Sequence, residues 1–375
     1  MVDEDKNSPD IGLFLPTFTP GGIERCMINL AKGFISRGVK VDLIVADKRG
    51  SFEEKVPNKA TIINLNAGRI IKSVIPLIKY LQQREPSILL SGHTHANIVA
   101  VWSVKVANTN TGVAIGIHNS FSNNYRGEIK VKDSIIRKLV PLTYRRSDHI
   151  IAVSKGVARD ISSEANIKRE NIDVIYNPVI GEDIKYLDDK SITEPWLVNS
   201  AIQVILGVGR LTQQKDFETL IKSFYEVQKV NKNARLIIIG SGPKKDDLED
   251  LIDRLGIQSK VKIIEYVEDI YSVMKESDIF VLSSRWEGFG IVLVEAMAVG
   301  TPVVATNCPT GPNEILKDGE YGELVPVGDP LSMANAINEM LNRRDEEKRT
   351  LDIQKRAMDF SIPSVVDEYM DVLNI

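Results

Sequence analysis

The 375-residue chain is 43% hydrophobic and 26% charged, with a formal net charge of −4. That length exceeds one ordinary core and suits two domains, and the balance is that of a soluble globular protein with no nucleic-acid partner expected. Residues 1–178 hold 25 Lys and Arg against 17 Asp and Glu, and the remainder 22 against 34, so an anionic partner for the first half and chance surface charge both stay open. The first ten residues are polar and acidic rather than signal-like, and the longest greasy stretch, 70–81, is broken by Lys72, Pro76 and Lys79, short of the roughly 20 apolar residues of a membrane span. Cys26 and Cys308 offer neither a disulfide framework nor metal-ligand spacing, so reduced thiols in a cytoplasmic protein are expected.

In chain order, apolar runs at 11–15, 41–45, 62–65, 88–90, 113–117, 149–153 and 174–175 read as strands, with helical patterns between them at 23–36 and 73–83. Residues 179–200 are charged, carry Pro195 and lack periodicity, as an interdomain connection would. A second series follows at 204–208, 236–239, 261–264, 279–282, 303–305 and 323–325. Strands alternating with helices imply parallel sheets, hence an α/β fold of two Rossmann-like domains, 1–178 and 201–358, with a final helical segment at 359–375. That segment looks helical after Pro363, with Val365, Val366, Tyr369, Met370 and Leu373 on one face.

The stretch from Ser283 to Glu295 carries the most chemistry. Glu287 and Glu295 stand eight positions apart, separated by Gly288-Phe289-Gly290 and the start of a helix. Backbone N–H groups near Gly290, Ile291 and Val292 and the positive end of that helix suit a diphosphate. Arg210 and Lys215, after the first strand of the second series, are two cations able to neutralise one, Arg as a fork and Lys as a point charge. In open α/β sheets ligands bind beyond the carboxyl ends of the strands, where 16–25, 209–217, 240–243 and 283–290 all fall.

The Glu-x7-Glu spacing within Glu-Gly-Phe-Gly resembles the donor-site signature of glycosyltransferase family 4, retaining enzymes of the GT-B fold. Other segments resemble that family in the expected order: Gly21-Gly22-Ile23-Glu24-Arg25, Ile117-His118-Asn119, Val153-Ser154-Lys155-Gly156-Val157, Tyr176-Asn177-Pro178, Gly209-Arg210-Leu211, Gln214-Lys215-Asp216-Phe217, Ile239-Gly240-Ser241-Gly242-Pro243 and Gly300-Thr301-Pro302. The resemblance implies two facing domains, the first on the acceptor side, with the final helix packing back on it. It implies that Arg210 and Lys215 hold the donor diphosphate and stabilise the leaving nucleotide, and that Glu295 binds the ribose hydroxyls. Glu287 lies by the donor sugar, where front-side displacement rather than a covalent glycosyl-enzyme is the usual proposal. His118 contacts the transferred sugar, and the Gly21-Gly22 loop closes over the phosphates; for both, a structural role is the competing reading. Gly240 and Gly242 line the nucleotide cleft, and Val267, between Tyr266 and Glu268, borders the base.

His93 and His95 lack a partner carboxylate at fitting spacing and read as cleft-lining or structural. No Asp-x-Asp occurs, so no metal and no resident cofactor are expected, the nucleotide sugar being a co-substrate. The partners implied are a nucleotide-sugar donor, a UDP-sugar ahead of GDP-mannose, and a saccharide or lipid-linked acceptor in surface glycan, glycolipid or polysaccharide synthesis. Basic residues from Arg126 to Arg146 alternate with Ile135, Ile136, Leu139, Val140 and Leu142, which fits peripheral contact with an anionic membrane and equally a helix packed on its own domain. A sugar-nucleotide epimerase and a catalytically silent nucleotide-sugar binder share the architecture. An NAD-dependent enzyme lacks its glycine fingerprint.

Overall fold

The computed structural model describes residues 8–124, 131–181, 184, 194–342 and 346–375. Two units result, Met1–Val179 with Ser361–Ile375 and Ile180–Phe360. The first unit is built on strands β1 to β7: Ile11–Leu15, Val41–Val45, Thr61–Asn64, Ile88–Ser91, Gly112–Ile117, His149–Ala152 and Asp173–Val174. The second carries β8 to β13: Gln203–Val208, Ala234–Ile239, Val261–Ile264, Ile279–Leu282, Val303–Thr306 and Glu323–Val325. Every apolar run read as a strand is one. The central strands are buried throughout, as Ile11–Leu15 and Val41–Val45 are, which is why they read as unbroken Val/Ile/Leu runs rather than alternating ones.

Both sheets are parallel, in the orders β3-β2-β1-β4-β5-β6-β7 and β10-β9-β8-β11-β12-β13. Ile11 pairs with Val41 on one side and Ile88 on the other. In the second sheet Ile205 pairs with Leu236 and Ile279. The order reverses between β1 and β4 and between β8 and β11, so the loops leaving those strand pairs diverge and leave a crevice in each unit. This places the loop before Gly22 beside that before Thr94, and Gly209–Lys215 beside Ser283–Gly290.

The C-terminal helix, Ile362–Leu373, belongs to the first unit. It begins before Pro363 rather than after it, because Ser361 caps it by accepting from the Ser364 N–H and proline is tolerated in a first turn. Its Val365, Val366, Tyr369 and Leu373 join the first core, each burial contributing about 1.5–3 kcal/mol. It lies on the helix Gly22–Ser36, where a Cβ on Gly33 would come within 2.3 Å of Val366 Cγ2. The rings of Phe34 and Tyr369 meet edge to face at 6.4 Å.

Of the connection expected over 179–200, residues 182–183 and 185–193 lie outside the described residues. Its far end is fastened to the second unit: Lys262 Nζ reaches Glu194 at 2.6 Å and stacks on Trp196 at 4.1 Å.

Candidate active site

In the second unit the loops after β8 and β11 are stitched together. The Arg285 N–H donates to Gln214 O at 2.8 Å, Ser283 Oγ to Lys215 O at 2.8 Å, and Gln214 Nε2 to Trp286 O at 3.0 Å. Arg285 Nε also reaches the buried Asp216 carboxylate at 3.0 Å. This lattice brings Lys215 and Glu287 into direct contact, Nζ to Oε1 at 2.5 Å, with Ser284 Oγ donating to the same oxygen at 2.6 Å. Their side chains are only 14% and 9% exposed. The sequence assigns Lys215 to a diphosphate and Glu287 to a sugar, but it does not pair them. Arg210 is exposed and reaches only the limit of a hydrogen bond, 3.5 Å to Gln214 Oε1.

Gly290 starts the helix Ile291–Ala298 at φ 107°, a left-handed conformation that glycine adopts without strain, and no side chain caps the helix. The first turn, Ile291 and Val292, therefore faces the crevice with its own N–H groups. Phe289, buried beside Gly288, is anchored edge to face on Phe360 at 5.3 Å. Glu295 is 2% exposed and accepts from Tyr271 Oη at 3.1 Å. Thr310 Oγ1 donates to Glu287 O, and the neighbouring Cys308 thiol is pushed up to about 12, first by burial and then by the Glu287 charge.

Gly240 explains the glycine after β9. A Cβ there would lie 1.9 Å from Gly209 O, and the Leu211 N–H donates to Ser241 O at 2.8 Å, so the two loops run backbone against backbone. Gly242 sits as tightly on Leu211. Val267 is in the loop after β10, two strands from β8, and no described bond joins it to this cluster. The sequence assigns no role to Ser284, Thr310 or Tyr271, which the structure places against Glu287 and Glu295. Ser284 has a signal in lying three residues before Glu287.

The first unit gathers a separate set. Gly22 opens its helix, and Gly21 precedes it at φ −165°, ordinary extended backbone. Positive φ is therefore not what Gly21 supplies. A Cβ there would lie 2.4 Å from Glu24 Oε2, so glycine makes room for that carboxylate. Glu24 is buried and contacts His93 Nε2 through Oε1 at 2.9 Å. His93, Thr94, His95, His118, Asn119 and Tyr144 line a cavity of about 200 Å³ at the ends of β4 and β5. The reading of His93 and His95 as lining residues matches that position, and no cluster of three metal-ligating side chains exists among the described residues.

Burial pushes the His118 imidazole down from 6.5 to about 4, with the neighbouring His93 acting the same way and Asn177 and Glu24 opposing. Between those values the unfolded chain binds a proton that the native chain refuses. Stability should therefore be complete above the unfolded value and fall as pH drops through the window, by on the order of 3 kcal/mol. Melting curves at about pH 7 and about pH 5 should show a smaller loss for His118→Asn than for the wild type; equal losses would mean that the native imidazole protonates freely.

Glycosyltransferase Family 4 matches residues 20–180 and Glycosyl transferases group 1 matches residues 188–357. The chain belongs to the group 1 glycosyltransferases of the family 4 type. This glycosyltransferase is 27% identical over 362 residues to the lipopolysaccharide core biosynthesis glycosyltransferase LpsE of Rhizobium meliloti, covering 94% of this chain and 96% of that one. It is 31% identical over 212 residues to a Campylobacter jejuni N-acetylgalactosaminyltransferase acting on a diphospho-undecaprenol-linked sugar, with 56% and 55% covered. Among solved structures, HepE of Anabaena in complex with UDP has a TM-score of 0.79 at 21% identity, over 97% of this chain and 99% of that one. That likeness establishes the GT-B fold of this glycosyltransferase, two Rossmann-like units with parallel sheets.

Proposed function

We propose that this glycosyltransferase moves a hexosyl unit from a nucleotide sugar, a UDP-sugar foremost, to a saccharide or lipid-linked acceptor in glycan assembly, with retention of configuration and without a metal ion. The observation that carries the reading is the Lys215–Glu287 contact at the β8/β11 crevice, next to an uncapped helix and the buried Glu295. A cation, free N–H donors and a carboxylate are what the diphosphate and ribose of one ligand require. On this reading Lys215 turns from Glu287 to the diphosphate when donor binds, and Arg210 joins it. Glu287 is then left to accept from sugar hydroxyls and to face the positive charge growing at the anomeric carbon. The bond from that carbon to the diphosphate oxygen breaks while the acceptor oxygen attacks from the same side, and the acceptor proton passes to the departing phosphate.

HepE has been solved with UDP and with UDP-glucose, which favours a uridine donor here. The names of LpsE and of the Campylobacter enzyme point to bacterial surface glycans. Purified protein mixed with UDP-, GDP- and ADP-sugars in EDTA should release UDP selectively. Release that EDTA abolishes would end the metal-free proposal. An epimerised sugar nucleotide without release would favour the epimerase, and saturable binding without either product the silent binder.

Membrane contact is proposed on narrower ground than the sequence offered. Arg126 and Lys130 lie outside the described residues, as does the side chain of Lys132. Arg137 pairs with Glu164, Arg145 donates to Ala165 O and Asn166 O, and Arg146 stacks on Trp102, so these charges serve the unit itself. What remains among the described residues is the exposed Lys138 and an apolar set: Ile135 and Leu142 on the helix Val131–Tyr144 are exposed, as is Val106 on the helix Thr94–Ala107 beside it. Among the described residues no helix is long and apolar enough to cross a membrane. Co-sedimentation with phosphatidylglycerol vesicles at low salt should fall in an Ile135→Ser, Leu142→Ser variant; a wild type that ignores the vesicles would remove this part.

A further inference from the structure

The strip that carries Glu287 is held by β12 and the loop that follows it. Thr306 Oγ1 donates to Ser284 O at 2.5 Å, and Thr310 Oγ1 donates to Glu287 O. Gly311, at φ 93°, lies so close that a Cβ there would come within 1.9 Å of Phe289 O. Only glycine fits between these two stretches of backbone. The loop then enters a single helical turn, Pro312–Ile315. The last carbonyls of such a turn need donors from outside it. Arg356, on the helix Glu346–Met358, supplies them: Nη2 donates to Glu314 O at 2.7 Å and Nε to Ile315 O at 2.9 Å.

The same guanidinium uses its face. It stacks on the Phe360 ring at 4.7 Å and on Tyr321 at 6.0 Å, while Nη1 reaches Asp359 at 2.6 Å. Phe360 in turn carries Phe289 edge to face at 5.3 Å. Arg356 therefore reaches the Glu287–Phe289 strip by two routes. One runs through hydrogen bonds by way of Pro312–Ile315 and Thr310, the other through stacked rings by way of Phe360. Its side chain is 9% exposed, and a cation so withdrawn is costly unless its N–H groups are met, as they are here.

The helix of Glu295 is held differently. Its far end is gripped by Gln354 Nε2 on Ala298 O at 3.4 Å and by Thr350 against Gly300. Neither contact involves Arg356. Loosening Arg356 should thus free the Glu287 strip and leave the ribose end of the site in place. We infer that Arg356 is a positioning residue of the transfer reaction, which acts through the Pro312–Ile315 turn and Phe360 to fix the backbone that aims Glu287. Its effect on rate rests on the role proposed above for Glu287; the brace does not.

The test uses the full chain with Arg356→Ala and Arg356→Lys. Lysine keeps the charge but, as a point donor, cannot serve both carbonyls and a ring face at once, so it decides the matter if the alanine variant fails to fold. In Arg356→Lys, hydrogen exchange read by mass spectrometry should quicken about tenfold at 284–290, the scale of one lost hydrogen bond, and stay unchanged at 204–208 and 234–239. Turnover is read on UDP-glucose, UDP-galactose and UDP-N-acetylglucosamine. For the donor that the wild type cleaves best, kcat should fall about 10–100-fold, with KM and the Kd for UDP kept within about threefold. Thr310→Val cuts the hydrogen-bonded route at its last link, so the double variant with Arg356→Lys should lose less than the product of the two single losses.

Unchanged exchange at 284–290 overturns the brace. Exchange that quickens throughout the second unit overturns it too, by making Arg356 a general stabiliser. Local quickening with full kcat overturns the positioning role, and losses that multiply in the double variant overturn the route through Thr310. A wild type that cleaves no donor ends the reading of Glu287, and the exchange pattern still decides the brace.

Discussion

Lys215→Ala should lower donor turnover by roughly 10²–10³-fold, the scale for losing one group that stabilises charge as it develops in a transition state. In the chain without donor, Lys215 neutralises Glu287; during transfer the charge grows on the diphosphate instead, and a preplaced ammonium meets it with little reorganisation. The substitution has a second consequence. It leaves the Glu287 carboxylate, 9% exposed, with the Ser284 hydroxyl but no cation, and breaking a pair so withdrawn from water costs about 3–5 kcal/mol. A low rate alone could then reflect a loosened loop. Lys215→Ala combined with Glu287→Gln separates the two effects, since the neutral amide needs no counter-charge. The double variant should recover most of the melting temperature and none of the turnover. Turnover near wild type in Lys215→Ala would take this lysine out of the mechanism.

The parts of this molecule that could be read in advance are those that depend on neighbours in sequence. Val261–Ile264, Ile279–Leu282 and Glu323–Val325 coincide with their apolar runs. At the edge, Thr61–Asn64 starts one residue before its run, because pairing with β2 through Asp42 and Thr61 sets the limit there, not burial. The contacts that matter most were not legible. Lys215 and Glu287 are 72 residues apart and Glu24 and His93 69 apart. Each meets only because β8 lies beside β11, or β1 beside β4, a strand order that no spacing in the chain displays. Gly21 is of the same kind, for nothing in the sequence displays the Glu24 side chain that folds back against it. For the basic run ending at Arg146 a membrane face and a helix packed on its own domain read alike in sequence, which cannot show Arg137 turned to Glu164 or Arg145 turned to backbone carbonyls.

Glu295→Ala should weaken UDP binding by roughly 10²–10⁴-fold, since a carboxylate accepting two ribose hydroxyls forms two charge-assisted hydrogen bonds of about 1.5–3 kcal/mol each. The fold supplies the conditions for that strength. Glu295 is buried on the helix that also presents the Ile291 and Val292 N–H groups, and Tyr271 Oη fixes one of its oxygens at 3.1 Å. Affinity alone does not identify the ribose as the partner, because a buried carboxylate can also shape the helix. The cycle that does so pairs the substitution with removal of the hydroxyls from the ligand. Wild-type protein should lose about the same factor on moving from UDP to 2′,3′-dideoxy-UDP, while Glu295→Ala should bind both alike, the two losses being one interaction counted from either side. Additive losses would assign the ribose to other groups and leave Glu295 a structural role beneath Tyr271. Tyr271→Phe sharpens the distinction, for it removes the donor that orients the carboxylate but leaves the charge. It should cost a smaller factor that likewise vanishes with the dideoxy ligand.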